Sequence, residues 1–199
     1  PKQKFSYINT LKNFIRNRAI VGLSFVVLSL TIFIMGAGQL NTMTYQLYFK
    51  DGTLTSYSML TRLIPLFVGM AIAPSLTEKY GKKACVGYPS LVAAIIFGLM
   101  AFLPIKNPFI WIGLQVIANT VVCIATVAGW AMVSDAIDYQ ELKTGERNEG
   151  SIYATYSMIR KIGQGIGSAL VPAAIAFLIP GLDVADASTW SAEYANQIK

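Results

Sequence analysis

Five long apolar runs, separated by short clusters of charge, constrain the fold of this chain more than any other feature of its sequence. They cover approximately residues 19–48, 54–76, 84–104, 108–134 and 152–179. About 20 apolar residues in an α-helix are enough to cross the hydrocarbon core of a bilayer. Only 13% of the 199 residues are charged, against about 25% in soluble proteins. The sequence therefore predicts an all-α, polytopic integral membrane protein with five transmembrane helices.

The positions of Lys and Arg indicate which ends of the spans face the cytoplasm. These residues concentrate in residues 1–18, in the turn that contains Lys82 and Lys83, and in the segment 135–150. Because cytoplasmic segments carry an excess of Lys and Arg, we expect the N-terminus inside, with residues 1–18 as a cytoplasmic basic connector. Residues 181–199 are acidic and polar, and we expect an extracellular loop there, leading to a further helix.

The same composition disfavours several classes of function. The net charge of +6 follows from topology, so we expect no nucleic-acid partner. The chain has no His, and Cys85 and Cys123 lie in separate apolar runs without ligand-like spacing, so we expect no metal site and no disulfide. With no nucleophile beside a plausible base, we expect neither an enzyme nor a cofactor.

Polar residues interrupt three of the spans at helical spacing, which places them on one face of each helix. Such interruptions are typical of substrate sites in transporters. Interhelical hydrogen bonding is the alternative explanation of the same pattern. The predicted substrate contacts in a shared aqueous cavity are Tyr45, Gln115, Asn119, Trp130, Lys161 and Gln164.

Two adjacent cations, Arg160 and Lys161, lie well inside the last apolar run. An isolated charge at mid-bilayer costs about 2.5–3.5 kcal/mol on insertion scales, so such residues usually face a cavity or a partner. Lys161 is roughly 13 Å along its helix at 1.5 Å per residue, near the limit from which a side chain can reach the headgroups. Snorkelling remains an alternative for Lys161, for Arg160, which points about 100° away from the polar face, and for Arg62. We also expect Gly163 and Gly167 to form a close helix contact.

One charged pattern resembles a known family. The segment "DAIDYQELKTGERNEG" and the helix after it contain D-x-x-D-Y-x-E, then Arg and Glu two residues apart, then Lys. This combination resembles the glycoside–pentoside–hexuronide:cation symporters, the melibiose-permease group of the major facilitator superfamily. The resemblance covers nearly the whole chain. It implies part of the C-terminal half of such a transporter, with the five spans corresponding to helices 7–11 of twelve.

The resemblance implies a site and partners. Members of this family hold a sugar between two six-helix bundles and couple its movement to sodium, proton or lithium. The predicted spans contain no Asp or Glu, so the coupling cation is expected mainly in the N-terminal bundle, which is not part of this sequence. Lys161 would help couple the sugar and cation sites. The cytoplasmic gate would comprise Asp135, Asp138, Glu141, Arg147 and Glu149, joined by Lys82 or Lys83.

The function expected from the sequence is therefore sugar:cation symport by alternating access, in a bacterial cytoplasmic membrane. Two alternatives remain open at this stage. The first is a carrier of lipid or another amphiphile with the same fold. The second is a membrane scaffold or partner subunit that works alone.

Overall fold

A computed structural model describes residues 17–145 and 149–178. The helices are α1 (Arg18–Met43), which continues into a π-helical turn (Thr44–Tyr48), α2 (Thr53–Thr61), α3 (Leu63–Tyr80), α4 (Lys82–Phe102), α5 (Pro108–Thr144) and α6 (Glu149–Leu178). Within these residues, five helical segments are long and apolar enough to cross a membrane, with α2 and α3 together forming one of them. The predicted all-α, five-span fold is confirmed. The connector residues 1–16, Arg147 and the predicted external loop 181–199 lie outside the described residues.

Small residues determine how closely α6 packs against α1. A Cβ atom added at Gly167 would lie 2.7 Å from the carbonyl oxygen of Ile32, and one at Gly163 would lie 3.1 Å from the Cβ atom of Thr31. Larger side chains at either position would force the helices apart. The close contact predicted from the glycine spacing is therefore confirmed, and α1 and α6 form one tightly packed pair.

Helix α5 lies at the centre of the bundle and packs against α3, α4 and α1. Asn107 caps its start, accepting a hydrogen bond from the N–H of Phe109 at 2.9 Å, and Pro108 occupies the first turn, where no N–H is required. Its end is Gly145, whose φ of 70° and N–H bond to the Glu141 carbonyl at 2.8 Å close the last turn.

The length of α5 differs from the sequence prediction, which ended this span at residue 134 and placed a loop after it. The helix has 37 residues, or about 55 Å at 1.5 Å per residue, well beyond a hydrocarbon core of about 30 Å. Hydropathy marks where a helix leaves the lipid, whereas the helix itself continues until a helix-terminating residue, here Gly145. Consequently Asp135, Asp138 and Glu141 lie on a helical extension.

The second span is interrupted at Arg62, between α2 and α3, where the sequence predicted one continuous helix. The N–H of Arg62 bonds to the carbonyl of Met59, three residues earlier, and Pro65 has no N–H to continue the regular ladder. The interruption directs Arg62 towards α1, where a Cβ atom on Gly38 would lie 3.8 Å from the guanidinium. Arg62 thereby becomes a neighbour of the polar segment of α1.

Two apolar clusters occupy opposite ends of the bundle. One lies where α1, the extension of α5 and the start of α6 meet, and contains Ile20, Leu23, Val27, Val133, Ala136, Ile152 and Tyr156. The other lies at the far end of α1 and the start of α5, and contains Tyr45, Leu54, Met100, Trp111 and Ile112. The polar cavities described below lie between these clusters.

Candidate substrate-binding cleft

An aromatic cavity of about 100 Å³ lies between α1, α5 and α6. The Trp130 and Tyr156 rings form its wall, with centroids 5.0 Å apart, and Gln164 also lines it. The guanidinium carbon of Arg160 lies 5.4 Å from the centroid of the Trp130 ring, within the range of a cation–π interaction. The cavity therefore combines a flat aromatic surface, an amide and a positive charge.

Arg160 is a site residue that the sequence analysis did not select. Its helical angle placed it about 100° from the polar face, with snorkelling as an alternative, but the structure places it over Trp130 in the cavity. Tyr156 was also not selected by the sequence analysis. The available signal was their spacing in α6: Tyr153, Tyr156 and Arg160 recur at three and four residues, which places them on one side of the helix.

A second cavity, of about 230 Å³, lies between α1, α3 and α5. Its polar lining consists of Asn41, Arg62, Asn119 and Thr126. Thr126 also lines the aromatic cavity, as does Ile34, so the two cavities adjoin at these residues. We call them together the central cleft.

Tyr45 and Gln115, two of the predicted substrate contacts, lie outside the central cleft. Their exposed fractions are 1% and 3%. The Tyr45 hydroxyl donates to Oε1 of Gln115 at 2.8 Å, the Ser58 hydroxyl donates to the same atom at 3.3 Å, and the Gln115 amide donates to Oδ1 of Asn41. This arrangement corresponds to the interhelical hydrogen bonding that the sequence analysis held as an alternative.

The other predicted contacts divide between the cleft and the surface of α6. Asn119, Trp130 and Gln164 line the central cleft. Lys161 lies outside it, on the exposed surface of α6. Because adjacent residues of a helix point about 100° apart, Arg160 faces the cleft and Lys161 does not. The coupling role of Lys161 stays a prediction.

One ion pair joins two of the predicted gate residues. Nζ of Lys82, at the start of α4, lies 2.6 Å from Oδ1 of Asp135 on the extension of α5. The other described gate residues lie at the same end of the bundle: Asp138 and Glu141 on the extension, Lys83 beside Lys82, and Glu149 at the start of α6. The gating role of this group stays a prediction.

A buried hydrogen bond at this end was not predicted. Nδ2 of Asn17 donates to Oε1 of Gln140 at 2.6 Å, while Oδ1 of Asn17 accepts from the N–H groups of Ala19 and Ile20 at 3.0 and 3.3 Å. Asn17 therefore caps α1 and ties its start to the extension of α5. The cap can be predicted from an Asn that precedes an apolar run. The hydrogen bond of Asn17 to Gln140, 123 residues away, cannot be predicted in this way.

Comparison with known proteins places this bundle in a family. The family described as "MFS/sugar transport protein" matches residues 1–196. A Bacillus subtilis protein named "Uncharacterized symporter YjmB" is 31% identical over 176 residues, which are 85% of this chain and 37% of the relative. Another from the same organism, "Uncharacterized symporter YnaJ", is 27% identical over 183 residues, 91% of this chain and 37% of the relative.

A Salmonella typhimurium protein named "Putative sulfoquinovose importer" is 30% identical over 117 residues, which are 59% of this chain and 23% of the relative. No solved structure matches the chain. The chain thus spans less than half the length of these relatives. The family match over nearly all of the sequence agrees with the resemblance to the glycoside–pentoside–hexuronide:cation symporters, and the chain belongs to the MFS/sugar transport family.

Proposed function

We propose that this chain forms the C-terminal half of a secondary active sugar:cation symporter that works by alternating access. The observation that carries the proposal is the central cleft, which places an aromatic surface, three amides and a hydroxyl within membrane-spanning helices. Polar groups at this depth are costly unless a cavity or a ligand satisfies them. A polyhydroxylated substrate is the kind of ligand that would do so.

The chemistry of the cleft suits a pyranose. The ring of Trp130 can stack against the apolar face of a sugar, while Asn119 and Gln164 can both donate hydrogen bonds to hydroxyl groups and accept them. The two adjoining cavities measure about 230 and 100 Å³, and together they reach the lower limit of the range of about 300–1,000 Å³ that is usual for ligand sites. We expect an N-terminal six-helix bundle to supply the opposite wall of the site.

Alternating access requires helices that move as one rigid unit and ion pairs at the cytoplasmic end that break at a small cost in free energy. The contact of Gly163 and Gly167 with α1 supports movement of α1 and α6 as one unit. Lys82 and Asp135 are partly exposed, at 38% and 55% of their side chains, and such pairs contribute about 0–1 kcal/mol. An ion pair of that strength can open and close within a transport cycle. We place the coupling cation, Na⁺ or H⁺, mainly in the N-terminal bundle.

Uptake of radiolabelled sugars by proteoliposomes containing the full-length protein tests this function. We expect an inward Na⁺ or H⁺ gradient to drive accumulation, and Lys161→Ala to abolish the gradient-driven part. Lys106→Ala is the matched control, because Lys106 is an exposed cation in the loop between α4 and α5. Gradient-dependent accumulation by Lys161→Ala at the control level would remove Lys161 from the mechanism, and no sugar uptake by the unmodified protein would refute the proposal.

One feature favours a second candidate, a carrier of lipid or another amphiphile. An almost wholly apolar groove of about 470 Å³ runs between α1 and α4, and Phe25, Phe33 and Val86 are among its lining residues. A groove of this kind would accommodate an acyl chain. Competition separates the two functions: lysolipids would inhibit uptake by an amphiphile carrier and sugars would not, whereas a sugar symporter would show the reverse.

A further inference from the structure

Three side chains of α6 surround one indole ring of α5, that of Trp130. The centroid of the indole lies 6.2 Å from the ring of Tyr153 and 5.0 Å from the ring of Tyr156. The guanidinium carbon of Arg160 lies 5.4 Å from the same centroid. Because the three residues of α6 are spaced by three and four positions, they lie on one side of that helix. Trp130 therefore contacts a continuous aromatic and cationic surface of α6.

Arg160 is the charged member of this surface, and its contact with Trp130 depends on the charge. A cation over the face of an aromatic ring is attracted by the quadrupole of the ring, and Trp is the strongest partner of this kind. The planar guanidinium can also stack on the ring. Arg160 lies one helical turn after Tyr156, so the two side chains contact the indole at two levels along α6. Rotation of the indole away from its position would break both contacts.

The part of α6 that carries Arg160 is itself held in place by α1. Gly163, three residues after Arg160, packs so closely on α1 that an added Cβ atom would lie 3.1 Å from the Cβ atom of Thr31 and 3.2 Å from the carbonyl oxygen of Leu28. This close packing restricts shifts of α6 along α1 at the level of Arg160. The backbone that presents the guanidinium to Trp130 is therefore a fixed support.

The orientation of Trp130 determines the shape of the smaller cavity. Its side chain is only partly buried, and it lines the cavity together with Thr126 and Gln164. Stacking on a sugar requires the face of the indole to point in one direction, whereas a tryptophan side chain has several rotamers. A ligand that needs one of these orientations binds with an affinity reduced by the fraction of protein that adopts it. A contact that holds the ring therefore raises the affinity without touching the ligand.

We propose that Arg160 is a positioning residue for sugar binding, because its cation–π contact holds the Trp130 ring in the orientation that stacks on the sugar. This inference rests on the proposed sugar transport and gives Arg160 a role that is separate from contact with the sugar. Loss of the charge at position 160 frees the ring even when no sugar is bound. It weakens sugar binding only while Trp130 is present.

Near-UV circular dichroism of the full-length protein in detergent, without sugar, measures whether the ring is held. The spectrum of each protein minus that of the same protein carrying Trp130→Phe isolates the Trp130 signal. Arg160→Gln removes the charge but keeps a planar polar end, and it should reduce this signal by at least half. Arg160→Lys keeps the charge and should retain more of the signal than Arg160→Gln does. Lys106→Gln, which removes an exposed cation between α4 and α5, should leave the signal unchanged.

Calorimetric titration with glucose, galactose, xylose and glucuronate measures the effect on binding, with the variants tested on the sugar that the unmodified protein binds most tightly. We expect Arg160→Gln to weaken binding about five- to thirtyfold, the range set by the strength of a cation–π contact. Arg160→Lys should weaken it less. In a Trp130→Leu background the Arg160→Gln change should weaken binding less than twofold, because the ring on which Arg160 acts is absent. If Trp130→Leu alone abolishes binding, the dichroism result decides.

An unchanged Trp130 signal in Arg160→Gln would overturn the proposal, because the charge would then not hold the ring. Equal losses of affinity with and without Trp130 would overturn it too, since Arg160 would then act directly on the sugar or on a group of the other bundle. Both results would leave sugar symport intact. Failure of the unmodified protein to bind or transport any sugar would refute the symport proposal and, with it, a role for Arg160 in sugar binding.

Discussion

Replacement of Gly167 by Ala tests the packing of α6 on α1. The added Cβ atom would lie 2.7 Å from the carbonyl oxygen of Ile32, 2.9 Å from its Cα atom and 2.8 Å from the Cβ atom of Met35. Because none of these atoms can move by a side-chain rotation alone, the helices must separate. Forcing an additional carbon into a well-packed contact costs about 1–3 kcal/mol.

Gly165→Ala is the matched control for this prediction. Gly165 lies in the same helix, and a Cβ atom there would have nothing within 4 Å. Both substitutions gain the same helix propensity, up to about 1 kcal/mol, so the difference between the variants isolates the packing cost. We expect the free energy of unfolding of Gly167→Ala to be about 1–3 kcal/mol lower than that of Gly165→Ala.

Reversible unfolding of the full-length protein from detergent micelles measures this difference. Helix content and the fluorescence of a dye attached to α6 report the transition, and both variants are compared under identical conditions. Equal unfolding free energies for the two variants would refute the reasoning, because they would show that α6 does not pack on α1 through Gly167.

Three further predictions concern the predicted cytoplasmic end and the turn between α1 and α2, which we expect on the external side. Asn17→Ala removes a helix cap and a buried bond to Gln140, so we expect unfolding measurements to show a loss of about 2 kcal/mol. Asp135→Asn should change stability by less than about 1 kcal/mol but change the transport rate several-fold, and an unchanged rate would exclude a gating role. Hydrogen bonds from the Thr53 hydroxyl and N–H lower the pKa of Asp51. The charged form of Asp51 therefore stabilises the fold above the unfolded-state pKa, and this stabilisation is lost as the pH falls through the lower pKa of the folded state. In Thr53→Val the Asp51 pKa should rise towards its ordinary value in an NMR titration, and no rise would contradict the assigned cause.

Much of the fold could be predicted because a helix must be long and apolar to cross a membrane. The lengths of the apolar runs identified all five spans, and the four-residue spacing of Gly163 and Gly167 predicted their close contact with another helix. The end of α5 could not be predicted in the same way. Hydropathy falls at the lipid boundary near Ser134, but backbone hydrogen bonding has no reason to stop there and continues to the αL residue Gly145.

The site was predicted less completely, because helical spacing gives the face of a residue and not its neighbour. Of the residues predicted on the polar face of α5, Asn119 and Trp130 line the central cleft. The predicted polar face also included Gln115, which is instead buried against Tyr45, 70 positions away. Such partners depend on which helices pack together. The position of Arg160 over Trp130 required the same information.

The central claim is that water and sugar reach a cleft inside this bundle, and thiol labelling at Thr126 tests it most directly. Thr126 lines both cavities, whereas Ile117 lies nine residues earlier in α5, about 180° around the helix, and is 55% exposed on the opposite surface. In full-length protein lacking Cys85 and Cys123, a membrane-impermeant reagent should label Thr126→Cys rapidly and Ile117→Cys hardly at all. The transported sugar should slow the reaction at Thr126→Cys. Equal labelling at the two positions, or labelling at Thr126→Cys that sugar does not slow, would contradict the account.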